Sequence, residues 1–253
     1  MIRVSLIGRL ATAVGLLALL AIATAAPALP AQPDAGTIST GTASVWNGHS
    51  CSVDVPVNIA GLNTGLGGYE TKVGWDPARF SSANADVTIA LTPYLTNGGT
   101  RFQTGASGTP ALKAVTSGAV KFGGYSWGTG NPPGNSANGQ LATVSLKPTA
   151  TCGAAALTMS ETQLVDVNGT LIGLTGQTGS NANVYSRFDV NGSQPLINSG
   201  DVNAVVAMLG ASTVGCDANY RYNTNLVQTI INSGDVNAVV AKLGQTTIAA
   251  CVN

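Results

Sequence analysis

Residues Ile197–Gly210 read INSGDVNAVVAMLG, and residues Ile231–Gly244 read INSGDVNAVVAKLG. The two copies start 34 positions apart and differ only at Met208 and Lys242. Tetratricopeptide repeats have the same period, but they need two helices per repeat and at least three repeats. Each copy here offers one helix preceded by a polar loop, so the phrase predicts a small domain built from two loop-helix units.

The apolar residues of each copy predict one short amphipathic helix. They recur at the i, i+3, i+4 and i+7 spacing of a single helical face, at Val202, Val205, Val206 and Leu209 in the first copy and at Val236, Val239, Val240 and Leu243 in the second. Ser199 and Ser233 are the predicted N-caps, and Gly210 and Gly244 are the predicted helix stops.

The loop before the first helix predicts a calcium site. Oxygen-bearing side chains alternate at Asp189, Asn191 and Ser193, and Asp201 closes the loop from the start of the helix. Calcium takes six to eight oxygen ligands at about 2.3–2.6 Å, and alternate loop residues with a closing carboxylate supply such ligands. The arrangement resembles a dockerin, a family with two tandem calcium-loop-plus-helix repeats. The resemblance implies an EF-hand-like, all-α domain over residues 186–253, in which Ile197 pairs with its counterpart in the second copy.

The second loop matches this pattern less well. Asn223, Asn225 and Asp235 align with the first loop, but the first two are neutral and Val227 stands where a third oxygen is expected. Both loops are also one residue longer than the usual twelve. Fewer carboxylates mean weaker calcium binding. The alternative is that these loops are calcium-free turns whose Asn and Asp side chains hydrogen-bond their own backbone.

The dockerin resemblance also implies which residues meet a protein partner. In that family, residues just before and along the helices contact a cohesin domain. By resemblance, the partner-binding residues here are Ser199, Gly200, Asn203, Ser233, Gly234 and Asn237. Because the two copies are nearly identical, they could present the same face in either of two orientations.

The preceding segment, residues 36–185, predicts a mainly β domain, a jelly roll or β-sandwich. In CSVDVPVNI (residues 51–59) every second residue is apolar, which predicts a strand with one buried face. Pro56 cannot donate to a sheet ladder, so this strand is predicted to lie at an edge or to carry a bulge. Further predicted strands are Tyr69–Trp75, Val87–Leu91, Ala119–Gly124, Leu141–Lys147, Ala155–Met159, Gln163–Val167 and Thr170–Leu174. Glycine, asparagine and proline clusters separate them, as in all-β sandwiches.

Residues Val53–Phe80 resemble the opening of a cohesin domain. The resemblance consists of an alternating strand with a VPV phrase, a loop, a glycine-aromatic strand and a turn opened by Asp76 and Pro77. The segments Leu141–Pro148 and Asp166–Gly173 lie where cohesins carry comparable elements. A cohesin-like sandwich implies protein binding, although the same jelly roll also serves carbohydrate-binding modules.

Four cysteines predict two disulfides in an oxidising compartment, and the sequence allows three pairings. We expect pairing within each segment, Cys51 with Cys152 and Cys216 with Cys251. A zinc site is not expected, because the sequence contains no C-x-x-C motif and His49 is its only histidine.

The N-terminus predicts a secretory signal peptide over residues 1–28, with the uncleaved anchor as the alternative. Two arginines precede an apolar run, and small residues follow it. The mature protein is therefore expected to be secreted, extracellular or at the cell surface. Because charged residues make up 9% of the chain and its net charge is zero, we expect neither nucleic acid nor a membrane as a partner.

The sequence predicts no enzyme. His49 is expected to be a solvated loop residue, and Glu70 and Glu161, the only glutamates, are not spaced as an acid/base pair. Tyr125 and Trp127, with Trp46 and Tyr94, are candidates for a sugar-stacking strip, against the alternative that they belong to the core.

Together these features predict a secreted, non-catalytic assembly protein. Its dockerin-like domain would bind calcium and dock to a cohesin-type sandwich, with that of another copy, bound head-to-tail, as one candidate. A polysaccharide-binding module tethered to a scaffold by the repeats is the alternative function. A third interpretation treats the small domain as a stabilising cap packed within its own chain.

Overall fold

The computed structural model describes residues 32–99, 101–104, 110–127, 134–192, 195–248 and 251. The predicted signal peptide and Ser193 lie outside the described residues. Two α-helices are described, α1 (Ser199–Val206) and α2 (Ser233–Val240). The described strands are β1 (Gln32–Thr40), β2 (Ala43–Trp46), β3 (Val53–Ala60), β4 (Leu66–Gly74), β5 (Val87–Leu91), β6 (Phe102–Gln103), β7 (Leu112–Thr116), β8 (Ala119–Trp127), β9 (Gly139–Leu146), β10 (Gly153–Ala156), β11 (Thr158–Asp166), β12 (Leu171–Thr178) and β13 (Asn181–Tyr185).

Most strands belong to one large, largely antiparallel sheet. Its order is β5-β9-β3-β1-β12-β11-β4-β8-β6, and β7 also pairs with β8. The remaining strands form a three-stranded sheet in the order β10-β13-β2. Two pairs are parallel, β1 with β12 and β13 with β2. This arrangement is the mainly β, sandwich-like fold that the sequence predicts.

The large sheet folds around one apolar core. The alternating strand β3 buries Val53, Val55, Val57 and Ile59, as its period of two predicts. Across the core, the Tyr69 hydroxyl of β4 donates a hydrogen bond to the Leu141 carbonyl of β9 over 3.3 Å. Burial raises the pKa of this tyrosine well above its usual range, so its hydroxyl stays protonated and able to donate.

The position of Pro56 shows that the edge-strand prediction is wrong. Strand β3 lies between β9 and β1, inside the sheet. The Pro56 carbonyl accepts from the Gly41 amide over 2.8 Å, and the ladder with β1 ends at the Thr40–Val57 pair. The N–H and C=O groups of a strand residue point to the same neighbour, so the missing donor faces the end of β1. The other predicted feature, a bulge, is found next to it, as a register shift against β9 after Val57.

All seven further predicted segments overlap described strands. Val87–Leu91 coincides with β5, whereas Ala155–Met159 is divided between β10 and β11. The sequence pattern did not predict β1, β2, β6, β7 and β13. Of these, β2 and β6 are only four and two residues long, so they are too short to show a hydrophobic period.

The two disulfides overturn the predicted pairing. Cys51 bonds to Cys216, and Cys152 bonds to Cys251, so each bridge joins the β-domain to the duplicated segment. The segment after Tyr185 folds back against the β-domain and brings the paired Cα atoms to 5.5 and 5.8 Å, a normal disulfide separation. Neither bridge closes within one segment, because the partners are selected by this long-range packing and not by proximity in sequence.

Candidate functional site

The duplicated segment forms what we call the repeat module, the described residues within 186–251. Its buried apolar side chains form a cluster of their own, made by Phe188, Val190, Ile197, Val205, Ile231 and Val239. Cys251 and the half-buried Tyr220 belong instead to the core of the β-domain. The module therefore has its own small core and is also packed into the larger one.

The helix N-termini differ from the prediction by one residue. Asn198 and Asn232, and not the following serines, are the N-caps. The side-chain oxygen of Asn198 accepts the Gly200 amide over 2.6 Å, and that of Asn232 accepts the Gly234 amide over 2.7 Å. Both asparagines have the extended backbone of an N-cap. The serines are the first residues of the two helices, and both are exposed.

Asp201 and Asp235 close the two loops from inside. Both are fully buried. In the first loop, the two carboxylate oxygens of Asp201 accept the amides of Asn198 and Asn191, over 3.0 and 3.2 Å. In the second loop, Asp235 accepts the equivalent amides over 2.9 and 3.0 Å. Hydrogen bonds to an ionised carboxylate and the positive end of a helix stabilise a buried negative charge.

In the second loop the other predicted metal ligands are engaged with the backbone. The Asn223 side-chain oxygen accepts the Leu226 amide over 3.1 Å, and that of Asn225 accepts the Val227 amide over 2.9 Å. Such bonds are those of a turn held by its own side chains. The loop thus offers one carboxylate, Asp235, and two amide oxygens that already serve as acceptors.

The first loop is richer in negative charge. Asp189 is nearly fully buried, as is Asp201, whereas Asn191 is exposed. Among the described residues, no group of three or more His, Cys, Asp or Glu side chains is placed to hold a metal ion. Of the predicted ligands of this loop, the described part contains two carboxylates and one amide.

The two copies are linked by an exchange of backbone hydrogen bonds. The Ile197 amide donates to Gln245, and the Ile197 carbonyl accepts from Gly244, each over 2.9 Å. The equivalent Ile231 bonds in the same way to Ala211 and Gly210, over 3.0 and 2.8 Å. The side chains of Ile197 and Ile231 are buried together in the module's core, whereas their backbone groups bond to other residues. Each copy therefore completes the end of the other copy's helix.

The predicted partner-binding residues lie at the surface of both helices. Ser199 and Asn203 are exposed on α1, and Ser233 and Asn237 are exposed on α2. Gly200 and Gly234 are partly exposed beside them. The structure therefore places equivalent residues at equivalent, accessible positions on the two helices.

The predicted apolar face of each helix is only partly buried. Val205 and Val239 are fully buried, and Val202 and Val236 are half-buried. The other predicted core residues are nearly half exposed, at 46 and 49% for Val206 and Leu209 and 45% for both Val240 and Leu243. The helices end at Val206 and Val240, so the leucines fall on the following turns and leave the helical period.

Gly200 and Gly234 have a structural role of their own. A Cβ atom on Gly234 would lie 2.5 Å from the Asn225 side-chain nitrogen and 2.9 Å from the capping oxygen of Asn232. A Cβ atom on Gly200 would lie 2.8 Å from the Asn198 capping oxygen. Side chains at these positions would displace the caps, so the glycines are explained without a partner.

The repeat module packs on the end of β2. The Trp46 indole N–H donates to the Asp189 carbonyl over 2.8 Å, and its backbone N–H donates to the Tyr220 hydroxyl over 3.3 Å. The Arg221 guanidinium lies 5.1 Å from the Trp46 ring centre. Trp46 is therefore a junction residue and not part of a sugar-stacking strip.

His49 also belongs to this junction, contrary to the predicted solvated loop. Its ring meets the Tyr220 ring edge-to-face, with centroids 4.9 Å apart. Burial, with a smaller contribution from the Arg187 guanidinium, lowers the pKa of His49 to about 4. The imidazole is therefore neutral at neutral pH, and a proton added to it would place a charge inside the junction.

A separate group of exposed aromatic side chains lies on the β-domain. Phe102, Tyr125 and Trp127 are 69, 54 and 49% exposed, and we call them the aromatic surface. The rings of Phe102 and Trp127 lie 6.2 Å apart at an interplanar angle of 25°, and Tyr125 lies 5.9 Å from Trp127. Tyr94 is buried and does not join them. Tyr125 and Trp127 were predicted from the sequence, whereas Phe102 was not, because its two-residue strand is too short to show a pattern.

Comparison with known proteins gives matches of fold only. No family model and no curated protein matches this chain. Similar solved structures include the sixth cohesin of scaffoldin B from Acetivibrio cellulolyticus, solved with a dockerin, at 18% identity and a TM-score of 0.42, covering 59% of this chain and 99% of that one. A non-cellulosomal cohesin from Archaeoglobus fulgidus has 16% identity and a TM-score of 0.44, and the match covers 62% of this chain and 96% of that one. A cohesin from Clostridium acetobutylicum has 20% identity and a TM-score of 0.43, and the match covers 64% of this chain and 94% of that one. At these values, function has to be argued from the residues of this chain.

Among the residues that the structure describes, no helix combines the length and the apolar character needed to cross a bilayer.

Proposed function

We propose that this chain is a secreted, non-catalytic assembly protein whose repeat module binds a cohesin-type β-sandwich through the outer faces of α1 and α2. One observation carries the proposal. The module is fixed to its own β-domain by two disulfides and by contacts around Trp46, while the residues expected to meet a partner stay exposed on both helices. The disulfides also support secretion, since such bonds persist in oxidising compartments.

The exposed helical faces combine apolar and polar side chains. Val206 and Val240 are nearly half exposed, and the exposed Asn203 and Asn237 lie one helical turn before them. Apolar surface bordered by polar groups is typical of protein-protein interaction sites. A module that served only as an intramolecular cap would need only the side that packs on its own β-domain. The cap interpretation therefore does not account for these exposed helical residues.

The β-domain of a second copy is the partner that the chain itself supplies. Because the module's inner side is tied to its own β-domain, its outer faces are available to another molecule. Contact between the module of one copy and the sandwich of the next would be heterologous, and such contacts propagate into chains unless they close into rings. The assembly would therefore grow with protein concentration.

Sedimentation velocity of the full chain over a concentration series tests this proposal. We expect larger species to appear as concentration rises. The variant with Asn203→Arg and Asn237→Arg together should stay monomeric, because each arginine places a charge on one helical face. Either substitution alone should leave assembly largely intact, because the other helix offers an equivalent face. Ala218→Arg, at an exposed turn position of the repeat module outside both helices, is the control and should assemble normally.

The opposite results would be equally informative. A monomer at every concentration would remove the second copy as the partner. Assembly that persists in the double variant would show that the contact lies elsewhere and that the outer helical faces are not the interface. Assembly lost in the control variant as well would mean that added positive charge, and not its position, prevents association.

We further propose that the first loop binds calcium and that the second does not. Asp189 and Asp201 bring two buried carboxylates to the first loop, and a divalent cation would stabilise that charge. The second loop has only Asp235, and its asparagine oxygens accept backbone amides. Hydrogen bonds already close this second loop without metal.

Thermal unfolding in calcium and in chelator tests this assignment. We expect calcium to raise the melting temperature of the wild-type chain and to have no effect on Asp189→Asn. The equivalent residue of the second loop provides the control, since Asn223→Ala should keep the calcium response. No response in the wild-type chain, or a response that survives Asp189→Asn, would contradict the assignment.

A further inference from the structure

We propose that the aromatic surface, with the groove beside it, binds a neutral polysaccharide chain. This site is independent of the proposed assembly function, because it is built on β6 and β8, whereas the repeat module packs on the end of β2. A ligand could therefore occupy it while the helical faces hold a protein partner.

The strands determine how the three rings are arranged. Phe102 of β6 lies directly opposite Trp127 of β8 in an antiparallel pair, so their side chains project on the same side. Tyr125 lies two residues earlier on β8 and therefore on that side too. The result is three adjacent rings, two of them nearly parallel, on a regular β-strand scaffold.

Backbone and side-chain hydrogen bonds hold this scaffold in place. The Thr104 amide donates to the Tyr125 carbonyl over 2.8 Å, and the Tyr125 amide donates to the Thr104 hydroxyl over 3.1 Å. Beneath the rings, the nearly buried Arg101 donates from Nε to the Ser126 hydroxyl, which donates to the Gly67 carbonyl, both over 3.1 Å. Because the aromatic side chains sit on a fixed backbone, little conformational freedom is lost when a ligand binds.

A shallow groove continues from Tyr125 across β8, β4 and β11. Its volume is about 240 Å³, and Gly68, Glu70, Leu112, Gln163 and Val165 are among the residues that line it. Gly68 keeps the floor open next to the Tyr125 side chain. Gln163 is exposed and offers amide donors and an acceptor to hydroxyl groups. Aromatic stacking beside a few polar groups is the composition of a small-molecule or sugar site.

The charge on this side of the sheet favours a neutral ligand. The groove residue Glu70 is paired with Lys121 over 2.6 Å, and Lys121 also lies 3.4 Å from Glu161. Glu161 in turn pairs with Lys72 over 2.8 Å. These four groups neutralise each other and leave no excess charge to attract an acidic polymer. Sugars combine apolar C–H faces, which stack on aromatic rings, with hydroxyl edges that hydrogen-bond to the groove.

Binding of the full chain to insoluble glycans tests the proposal. The probes are microcrystalline cellulose, β-mannan and chitin, with polygalacturonate as the acidic comparison. We expect retention on at least one neutral glycan and no retention on polygalacturonate. Trp127→Ala and Phe102→Ala should each weaken retention about fivefold to tenfold, the range expected for loss of one stacking ring. Val214→Ala, which shortens an exposed apolar side chain on the repeat module, is the control and should bind like the wild-type chain.

Several results would overturn the inference. One is that the chain is retained on none of the three neutral glycans, and another is that Trp127→Ala and Val214→Ala lose glycan retention equally. A third is that Trp127→Ala loses self-association but keeps glycan retention. The last result would identify the aromatic surface as a protein interface. The variant with Asn203→Arg and Asn237→Arg should keep glycan retention, so failure of the assembly proposal would not be mistaken for failure of this one.

Discussion

The two disulfides should contribute equally to stability, even though the loops that they close differ in length. Cys51–Cys216 spans 165 residues, and Cys152–Cys251 spans 99. When one bridge is intact, forming the other closes a loop that consists of three parts. These are the chain between the two β-domain cysteines, the intact bridge, and the chain between the two module cysteines. That loop contains about 136 residues for either bridge. In the chain-entropy account, closing it stabilises the folded state by about 5 kcal/mol.

Two double variants measure this effect. One replaces Cys51 and Cys216 by alanine, and the other replaces Cys152 and Cys251. We expect each variant to lose about 5 kcal/mol of unfolding free energy, measured by urea denaturation without reductant and followed by tryptophan fluorescence. Pairing within the segments would instead put one cysteine of each bridge into either variant. Each variant would then lose both bridges, which would close about 101 and 35 residues, and about 8 kcal/mol in total. A non-reducing peptide map of the wild-type chain provides the direct control, since the Cys51 and Cys216 peptides should be linked.

Two results would refute this reasoning. Losses below about 1 kcal/mol would show that the bridges do not restrict the unfolded chain as assumed. Losses that differ by more than about 2 kcal/mol would show that the two bridges do not close a common loop. In either case the module would not be held to the β-domain in the way that the long-range bridges indicate.

Three further predictions concern the repeat module and its junction. The pKa of His49 is about 4 in the folded chain and 6.5 in the unfolded one, so the unfolded chain binds more protons between these pH values. The free energy of unfolding should therefore fall by about 2 kcal/mol as the pH decreases from 6.5 to 4, after allowance for partial exposure. The urea midpoint of His49→Asn should not show this decrease. Gly234→Ala should lower stability by about 1 kcal/mol, since its Cβ would lie within 3 Å of the capping oxygen, and equal melting temperatures for variant and wild type would refute that. Val239→Ala should lower the free energy of unfolding by about 2 kcal/mol and Val240→Ala by less than about 0.5 kcal/mol, because only Val239 is buried. Similar urea midpoints for the two variants would mean that a different face of the helix is buried.

The parts of the fold that sequence predicts well are those set by local pattern. Alternation identified β3 and its buried face, and the apolar run Val87–Leu91 coincides with β5. The duplicated phrase predicted both helices, and the polar residue at each loop end predicted a cap, with an error of one residue. In each case the decisive interactions lie within a few positions along the chain.

The features that were missed depend on distant contacts. The cysteine partners are 165 and 99 residues apart, and nothing near either cysteine indicates which partner the packing will bring close. A helical period shows which residues share a face, but not how wide a stripe the neighbouring element covers, so the exposure of Val206 and Val240 was not predicted. Phe102 joins the aromatic surface only because β6 pairs with the end of β8.

The structure also separates two reasons for the repeated phrase. Ile197 and Ile231 each bond to the end of the other copy's helix, so each copy needs the other to complete its structure. Asp201 and Asp235 each close the loop of their own copy. These interior residues are explained by folding alone. The exposed serine and asparagine on the two helices are not, because they contribute nothing to the module's buried cluster. Within the phrase, it is therefore the identity of the outer residues, and not the duplication itself, that supports a binding function.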